Sequence, residues 1–379
     1  MRGASAIVGL VALSVTAGCT FPSTFRAVRQ ELSALPAAPA PPAIPGLIRY
    51  KGVIHVHSHL SHDSRGGEDE IVRAARAANL DFLMLTDHND PAIFSSGMTG
   101  ERDGVLVIRG AEIACRDQRL LAVGIERFID SRGLTCSEVA TAITSAGGTP
   151  IGAHPNRFAL WDEPAVAGVE VWDLYDEAVT DRWRYFAWAM DVLFWYGAYP
   201  EEILSRVIRR PDRALAAFDD QTAKRRLTAI ATPDAHQNIR VLWRQVDPYP
   251  LTFRLAPVYV WAPDRTRDAL LTALRQGRTY FAFELFRPAS AFHFQGVDAR
   301  GTAWQMGDEV PWAPGLTFEV YAPHRGLITV LRNGQPIARA EADRLSAPAE
   351  GAGAYRAEVA ISVQGQWRPW IFSNPIYVR

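Results

Sequence analysis

From residue 47 onward the chain alternates short, uniformly apolar runs with stretches whose apolar residues recur every three or four positions. Val53–Val56, Phe82–Leu85, Val105–Ile108, Leu120–Val123, Ile151–Ala153, Val169–Trp172 and Ala229–Ala231 each have the length and composition of a buried strand. Glu68–Ala78 and Ser137–Ser145 carry the helical period between them. Strands alternating with helices predict an α/β architecture with a parallel sheet, and seven of them suit an incomplete or distorted barrel. The alternation is imperfect, because no helix separates 105–108 from 120–123. A last unit of this type is expected over Val258–Trp261, Asp264–Gln276 and Arg278–Phe283.

Two segments break the pattern. Between the sixth and seventh strands, 174–227 forms a long insertion whose Trp183, Trp188, Phe194 and Trp195 fall on a helical stretch. They read either as the core of a helical lid or as an aromatic wall for a substrate. After residue 287 the periodicity shifts to two, in Thr317–Tyr321, Ile328–Leu331, Tyr355–Val363 and Trp370–Val378. Asn333-Gly334 is a tight hairpin signal. A small C-terminal antiparallel β-sandwich over 287–379 is the expectation.

The N-terminus has a different texture. Arg2 precedes an apolar run from Ala4 to Ala17, too short to span a bilayer, which reads as an export signal over 1–19. Thr16-Ala17-Gly18-Cys19 also resembles a bacterial lipobox, with Thr16 where leucine is usual. The chain is therefore expected to be exported, either free in the periplasm or as a lipoprotein anchored through Cys19. Prolines at 36, 39, 41, 42 and 45 make 20–46 a Pro/Ala-rich tether and not a folded element. Export allows a disulfide between Cys115 and Cys136, but their spacing does not argue for one, and two buried free thiols are expected.

Charge narrows the function classes. Forty basic and forty-one acidic side chains leave a net charge of −1, which gives nucleic-acid binding no support. Three cysteines are too few for a cysteine-based zinc site. Histidine is more telling: seven of the nine fall in four short segments. His55 and His57, Asp87-His88, Glu112, His154, and Asp234 with His236 each stand at the C-terminal end of an expected strand. That edge carries the chemistry in parallel α/β barrels. Residues i and i+2 of a strand share a face, so His55 with His57, and Asp234 with His236, can each act as a pair on one cation. Imidazole mixed with carboxylate suits zinc, manganese or iron.

These segments, Val53-Ile54-His55-Val56-His57-Ser58, Thr86-Asp87-His88-Asn89, Gly110-Ala111-Glu112-Ile113, Ala153-His154-Pro155 and Pro233-Asp234-Ala235-His236, resemble the motifs of the PHP (polymerase and histidinol phosphatase) metallohydrolases, in the family's order. The stretch Trp370–Val378 is similar to the C-terminal module of its carbaryl-hydrolase-like branch. The resemblance covers about residues 50–285 and implies a distorted (β/α)7 barrel over 47–286 acting on phosphate esters. The metal ligands it implies are His55, His57, Asp63, His88, Glu112, His154, Asp234 and His236, with His62 competing for the place of Asp63. Asp117-Gln118-Arg119-Leu120 lacks a histidine the family often has, which favours two divalent ions and leaves a third open. Glu112 or Asp234 would bridge the ions. Arg65 and Arg157 follow ligand segments and read either as phosphate contacts or as surface arginines.

The leading expectation is an exported metal-dependent phosphoesterase with a small-molecule substrate, touching a membrane only through a lipid anchor. Carbamate, ester or amide hydrolysis at the same metals is an alternative. A non-enzymatic surface metal-binding protein is another.

Overall fold

The computed structural model describes residues 21–379 apart from 37, 41 and 181–183. The expected signal segment, Cys19 and Trp183 lie outside the described residues. Eight strands make up the first part: β1 (Ile48–Val56), β2 (Phe82–Leu85), β3 (Gly100–Arg102), β4 (Val105–Cys115), β5 (Gln118–Val123), β6 (Thr149–Gly152), β7 (Gly168–Asp173) and β8 (Thr228–Thr232). β2, β6, β7 and β8 are buried along their whole length, as expected of strands that carry no polar alternation.

Pairing is parallel between β1 and β2, β2 and β4, β6 and β7, and β7 and β8. It is antiparallel between β4 and β5 and between β5 and β6, where the sequence places no helix between 105–108 and 120–123. The chain of pairings returns to its start. The His57 N–H donates to the Ala235 carbonyl at 3.0 Å, and the Ala235 N–H to the His55 carbonyl at 3.2 Å. The end of β1 thus lies beside the segment that follows β8.

Helices cover these strands where their caps predict. Helix Cys136–Ser145 starts at a Thr135/Glu138 capping box and buries Val139, Ala140 and Ile143. Helix Glu68–Ala77 has three acidic residues in its first turn and buries Ile71, Val72, Ala74 and Ala75.

Further along come β9 (Arg240–Val241), β10 (Arg244–Gln245), β11 (Val258–Ala262) and β12 (Thr279–Ala282). β11 adds antiparallel to the outer half of β1, and β12 to β11. The C-terminal part contributes β13 (His293–Val297), β14 (Ala303–Gln305), β15 (Glu309–Val310), β16 (Thr317–Arg332), β17 (Gln335–Pro348), β18 (Gly353–Val363), β19 (Gln366–Ser373) and β20 (Ile376–Val378). Its pairings are antiparallel except β15 with β20. β12 pairs with β19, so hydrogen bonding is continuous between the two parts. Asn333 and Gly334 join β16 to β17 with φ of 49° and 79°, the left-handed turn their sequence favours.

Two expectations are overturned. Residues 20–46 are not a bare tether, because Pro22–Ala34 is a helix. Its prolines are concentrated after residue 35, while Pro22 sits in the first turn, where a missing N–H costs nothing. Phe25 and Leu32 are buried, Arg29 pairs with Glu202, and the Glu31 carboxylate accepts from the Gln364 backbone N–H at 2.9 Å. Cys115 and Cys136 are not free thiols either. They form a disulfide that ties the end of β4 to the first turn of helix Cys136–Ser145, 21 residues apart in sequence. Spacing carried no sign of this, since the contact is made by tertiary packing.

Candidate metal centre

β1 delivers its histidines through an irregularity. Its register against β2 shifts between Ile54 and Val56, leaving His55 as the unpaired residue with φ of 65°. The bulge re-aims the side chain. His154, just beyond β6, has φ of 58°, and Asp234, just beyond β8, has φ of 42°. Three candidate ligands therefore sit in the left-handed region, where a residue with a Cβ is strained. Glu112 is not at a strand end but inside β4, where that strand changes partner from β2 to β5. A bridge between His88 and Glu112 brings the β2 terminus alongside.

These elements converge on Glu112, which is 2% exposed. Glu112 Oε2 lies 2.8 Å from His88 Nδ1 and 3.6 Å from His57 Nε2. Its Oε1 lies 3.2 Å from His154 Nε2 and 3.7 Å from Arg119 Nη1. Asp234 Oδ1 lies 3.0 Å from His55 Nε2 and 3.3 Å from His57 Nε2. Asp63, not His62, completes the group: its carboxylate is 3.1 Å from His88 Nε2 and 3.4 Å from His236 Nε2. The His62 side chain is 80% exposed, stacks on His88 and comes no nearer than 3.9 Å to the Asp63 carboxylate.

Surrounding acceptors fix the imidazoles. His55 Nδ1 is 2.6 Å from Glu170 Oε1, His57 Nδ1 is 2.9 Å from Ser61 Oγ, and His236 Nδ1 is 2.9 Å from the Asp234 carbonyl. All three rings thereby turn Nε2 inward. Glu170 also accepts from the His154 backbone N–H at 2.7 Å and from the Thr232 hydroxyl at 2.7 Å. Asp87 accepts from the Ser58 N–H, the Ser58 hydroxyl and the Ser61 hydroxyl, and so anchors the loop behind His57. Sequence reasoning missed Glu170, Asp173 and the supporting role of Asp87. Glu170 is the one carboxylate inside the apolar run Val169–Trp172, and that was the signal available.

Electrostatics follow from this packing. Burial lowers the His57 pKa to about 4, against the pull of Asp234, so this ring is neutral and ligand-competent at pH 7. Burial opposes charge on Glu112, yet the imidazoles of His154, His55 and His88 beside it hold it well below the carboxylate range. Burial likewise opposes charge on His154, but the nearby carboxylates of Asp173 and Glu112 raise the pKa to about 11. The neighbouring carboxylates favour positive charge on His55, His88 and His154, but do not prevail at His57.

The donor set fits divalent cations. His55 Nε2, His57 Nε2, Asp63 Oδ1, His88 Nδ1, His154 Nδ1, Asp234 Oδ1 and His236 Nε2 are all buried without a hydrogen-bond partner. Buried polar atoms are rarely left so, and a metal-binding role accounts for six of them in one place, His154 Nδ1 facing Asp173 and Asp176 instead. His57, Asp63, His88 and His236 form one set with ligand atoms within 4.8 Å of one another, and His55, His154 and Asp234 form a second. The centre opens into a cavity of about 580 Å³. Arg119 and Arg157 line it, whereas Arg65 is exposed and is not among the lining residues. Sequence position alone favoured Arg65 over Arg119. The antiparallel pairing of β5 with β4 places Arg119 opposite Ala114, two residues beyond Glu112.

No family model matches the sequence, and no curated protein matches it either. Among solved structures, the chain is similar to a two-domain protein from Bacteroides vulgatus described as containing a predicted PHP-like metal-dependent phosphoesterase. Identity is 14%, with 90% of this chain and 99% of that chain covered, at a TM-score of 0.42. A protein from Bifidobacterium adolescentis, described provisionally as a metal-dependent phosphoesterase, aligns at 15% identity over 49% of this chain and 88% of that one. Its TM-score is 0.33. Both scores are low, and the function below rests on the site itself.

Proposed function

We propose that this chain is a metal-dependent hydrolase of the PHP type that cleaves a phosphate ester. The observation that carries the reading is the set of six unpartnered buried ligand atoms of His55, His57, Asp63, His88, Asp234 and His236 clustered with Glu112 at the floor of an open cavity. His57, Asp63, His88 and His236 would hold one divalent ion, and His55, His154 and Asp234 another, with Glu112 reaching both sets. Bound ions of this kind supply Lewis acidity toward phosphoryl oxygens and acidify water. The chain's own residues do the rest. Glu170 and Ser61 hold the rings of His55 and His57 in orientation, while Arg119 and Arg157 offer guanidinium groups at the cavity wall for two-pronged contact with an anionic group. Zinc, manganese and iron all accept this nitrogen and oxygen mixture.

The closed succession of pairings from β1 to β8 supports reading 47–286 as a distorted seven-stranded barrel, with 287–379 as an appended β-sandwich. The Cys115–Cys136 disulfide supports an oxidising compartment and so export.

Removal of metal tests the proposal. Chelated and desalted protein should lose hydrolysis of a chromogenic phosphomonoester by on the order of a hundredfold or more, given several kcal/mol of lost transition-state stabilisation. Added zinc, manganese or ferrous iron should restore it. Phosphodiesters and aryl carbamates assayed alongside separate the ester classes. Activity indifferent to chelation, in protein shown by elemental analysis to be metal-free, would refute the reading.

A further inference from the structure

One wall of the cavity is a hairpin whose tip breaks the rules of its own turn. β9 and β10 pair through Val241 with Arg244 and Arg240 with Gln245, leaving Leu242 and Trp243 as a two-residue loop. Leu242 takes φ of 55° at the first loop position, where two-residue hairpins favour glycine or asparagine. Both side chains are turned to solvent, Leu242 at 67% exposure and Trp243 at 69%. A strained, exposed Leu-Trp tip costs folding stability and adds nothing to the core. Local rules broken this way concentrate at functional sites.

The base of the same hairpin belongs to the site. Ile239 and Val246 line the cavity together with Leu174, Leu204 and Val207, which gives it an apolar side facing the ligand cluster. The hairpin is held firmly. Asp247 accepts from the Asn238 and Ile239 N–H groups at 2.9 and 3.0 Å, and the Asn238 side chain donates to the Asp63 carbonyl at 2.7 Å. Tyr196 donates its hydroxyl to the Val246 carbonyl, and Arg244 Nε donates to the Leu193 carbonyl. That bond places exposed Phe194 on the adjoining helix. Arg240 is exposed beside the tip and forms no ion pair among the described residues, whereas Arg244 is half-buried against the helix.

The geometry points to this hairpin as a lipid-surface contact. Leu242 and Trp243 enter the headgroup region of a bilayer, Arg240 meets anionic headgroups, and the cavity behind them receives an amphiphilic ester from that surface. Tryptophan suits the membrane interface because its ring is apolar with one polar edge, and arginine is drawn to an anionic leaflet. The substrate clause rests on the hydrolase reading above. The surface contact does not.

The test uses the full chain carrying Cys19→Ser, so that a single introduced thiol can be labelled beside the Cys115–Cys136 disulfide. A polarity-sensitive fluorophore at Trp243→Cys should brighten and shift to the blue with vesicles of phosphatidylcholine and phosphatidylglycerol. The same label at Trp312→Cys, exposed on the C-terminal part, should not respond. Leu242→Gly relieves the turn, so it should melt no lower than the parent yet bind vesicles on the order of tenfold more weakly. A label at 243 that stays in water would overturn the proposal and leave the tip to a protein partner. So would equal responses at 243 and 312, or unchanged vesicle affinity in Leu242→Gly. Failure of the hydrolase reading would show separately, as protein without bound metal, and would overturn only the substrate clause.

Discussion

Glu112→Gln is expected to lower kcat/KM by on the order of a thousandfold or more, because several kcal/mol of metal-derived stabilisation is lost with it. Bound metal should fall below the wild-type complement, and excess metal should not restore turnover. Glu112 turns one oxygen to His88 and His57 of one candidate ligand set and the other to His154 of the second. The amide keeps the shape but removes the negative charge that offsets repulsion between two cations. Elemental analysis and steady-state kinetics check the outcome, with thermal melting to confirm the fold. Wild-type metal content and activity in Glu112→Gln would remove this residue from the site.

Glu170→Ala should be the most destabilising single change near the centre. Glu170 is fully buried and accepts from His55 Nδ1, the His154 backbone N–H and the Thr232 hydroxyl. Truncation strands the His55 and His154 donors and leaves the Thr232 hydroxyl only Asp173 Oδ2, at 3.3 Å. At about 1–3 kcal/mol for each unsatisfied group, a loss of roughly 3–5 kcal/mol of folding stability is expected, allowing for partial repair by water. Metal affinity should weaken about 10–100-fold, as orientation of two rings is released. Glu170→Gln should fall between, since an amide oxygen serves some of these donors but not all three. Denaturant melts and metal titration of the two variants decide it, and a Glu170→Ala protein as stable as wild type would contradict the network.

What the sequence disclosed and what it hid divide along physical lines. Strands such as 82–85 and 229–231 were legible because burial on both faces demands an unbroken apolar run. Seven of the eight candidate ligands were legible because histidine and carboxylate are conspicuous at or just past the ends of such runs, whereas Asp63 was implied only by the resemblance, with His62 competing for its place; the folded chain brings all eight together. Glu170 was concealed by the same logic: a charged residue inside an apolar run looks like an exception until its three donors, from separate segments, are in place. Helix Pro22–Ala34 was hidden because proline density was averaged over 20–46, when it begins in earnest only after Leu35. The hairpin 240–245 carries none of the usual turn residues, so no local signal announced it. Arg119 and the disulfide depend on which strands and helices become neighbours, which local pattern does not encode.

The left-handed ligands have an evolutionary consequence. His55, His154 and Asp234 hold φ of 65°, 58° and 42°, at a cost of about 1 kcal/mol or more each compared with a residue at ease there. Glycine or asparagine would relieve that cost. Selection for folding and selection for the centre therefore pull in opposite directions at the same three positions. In a lineage released from the need for the centre, stability alone would reward replacing these residues. The decay of the site would then begin with its own ligands, while the strands that present them stayed intact.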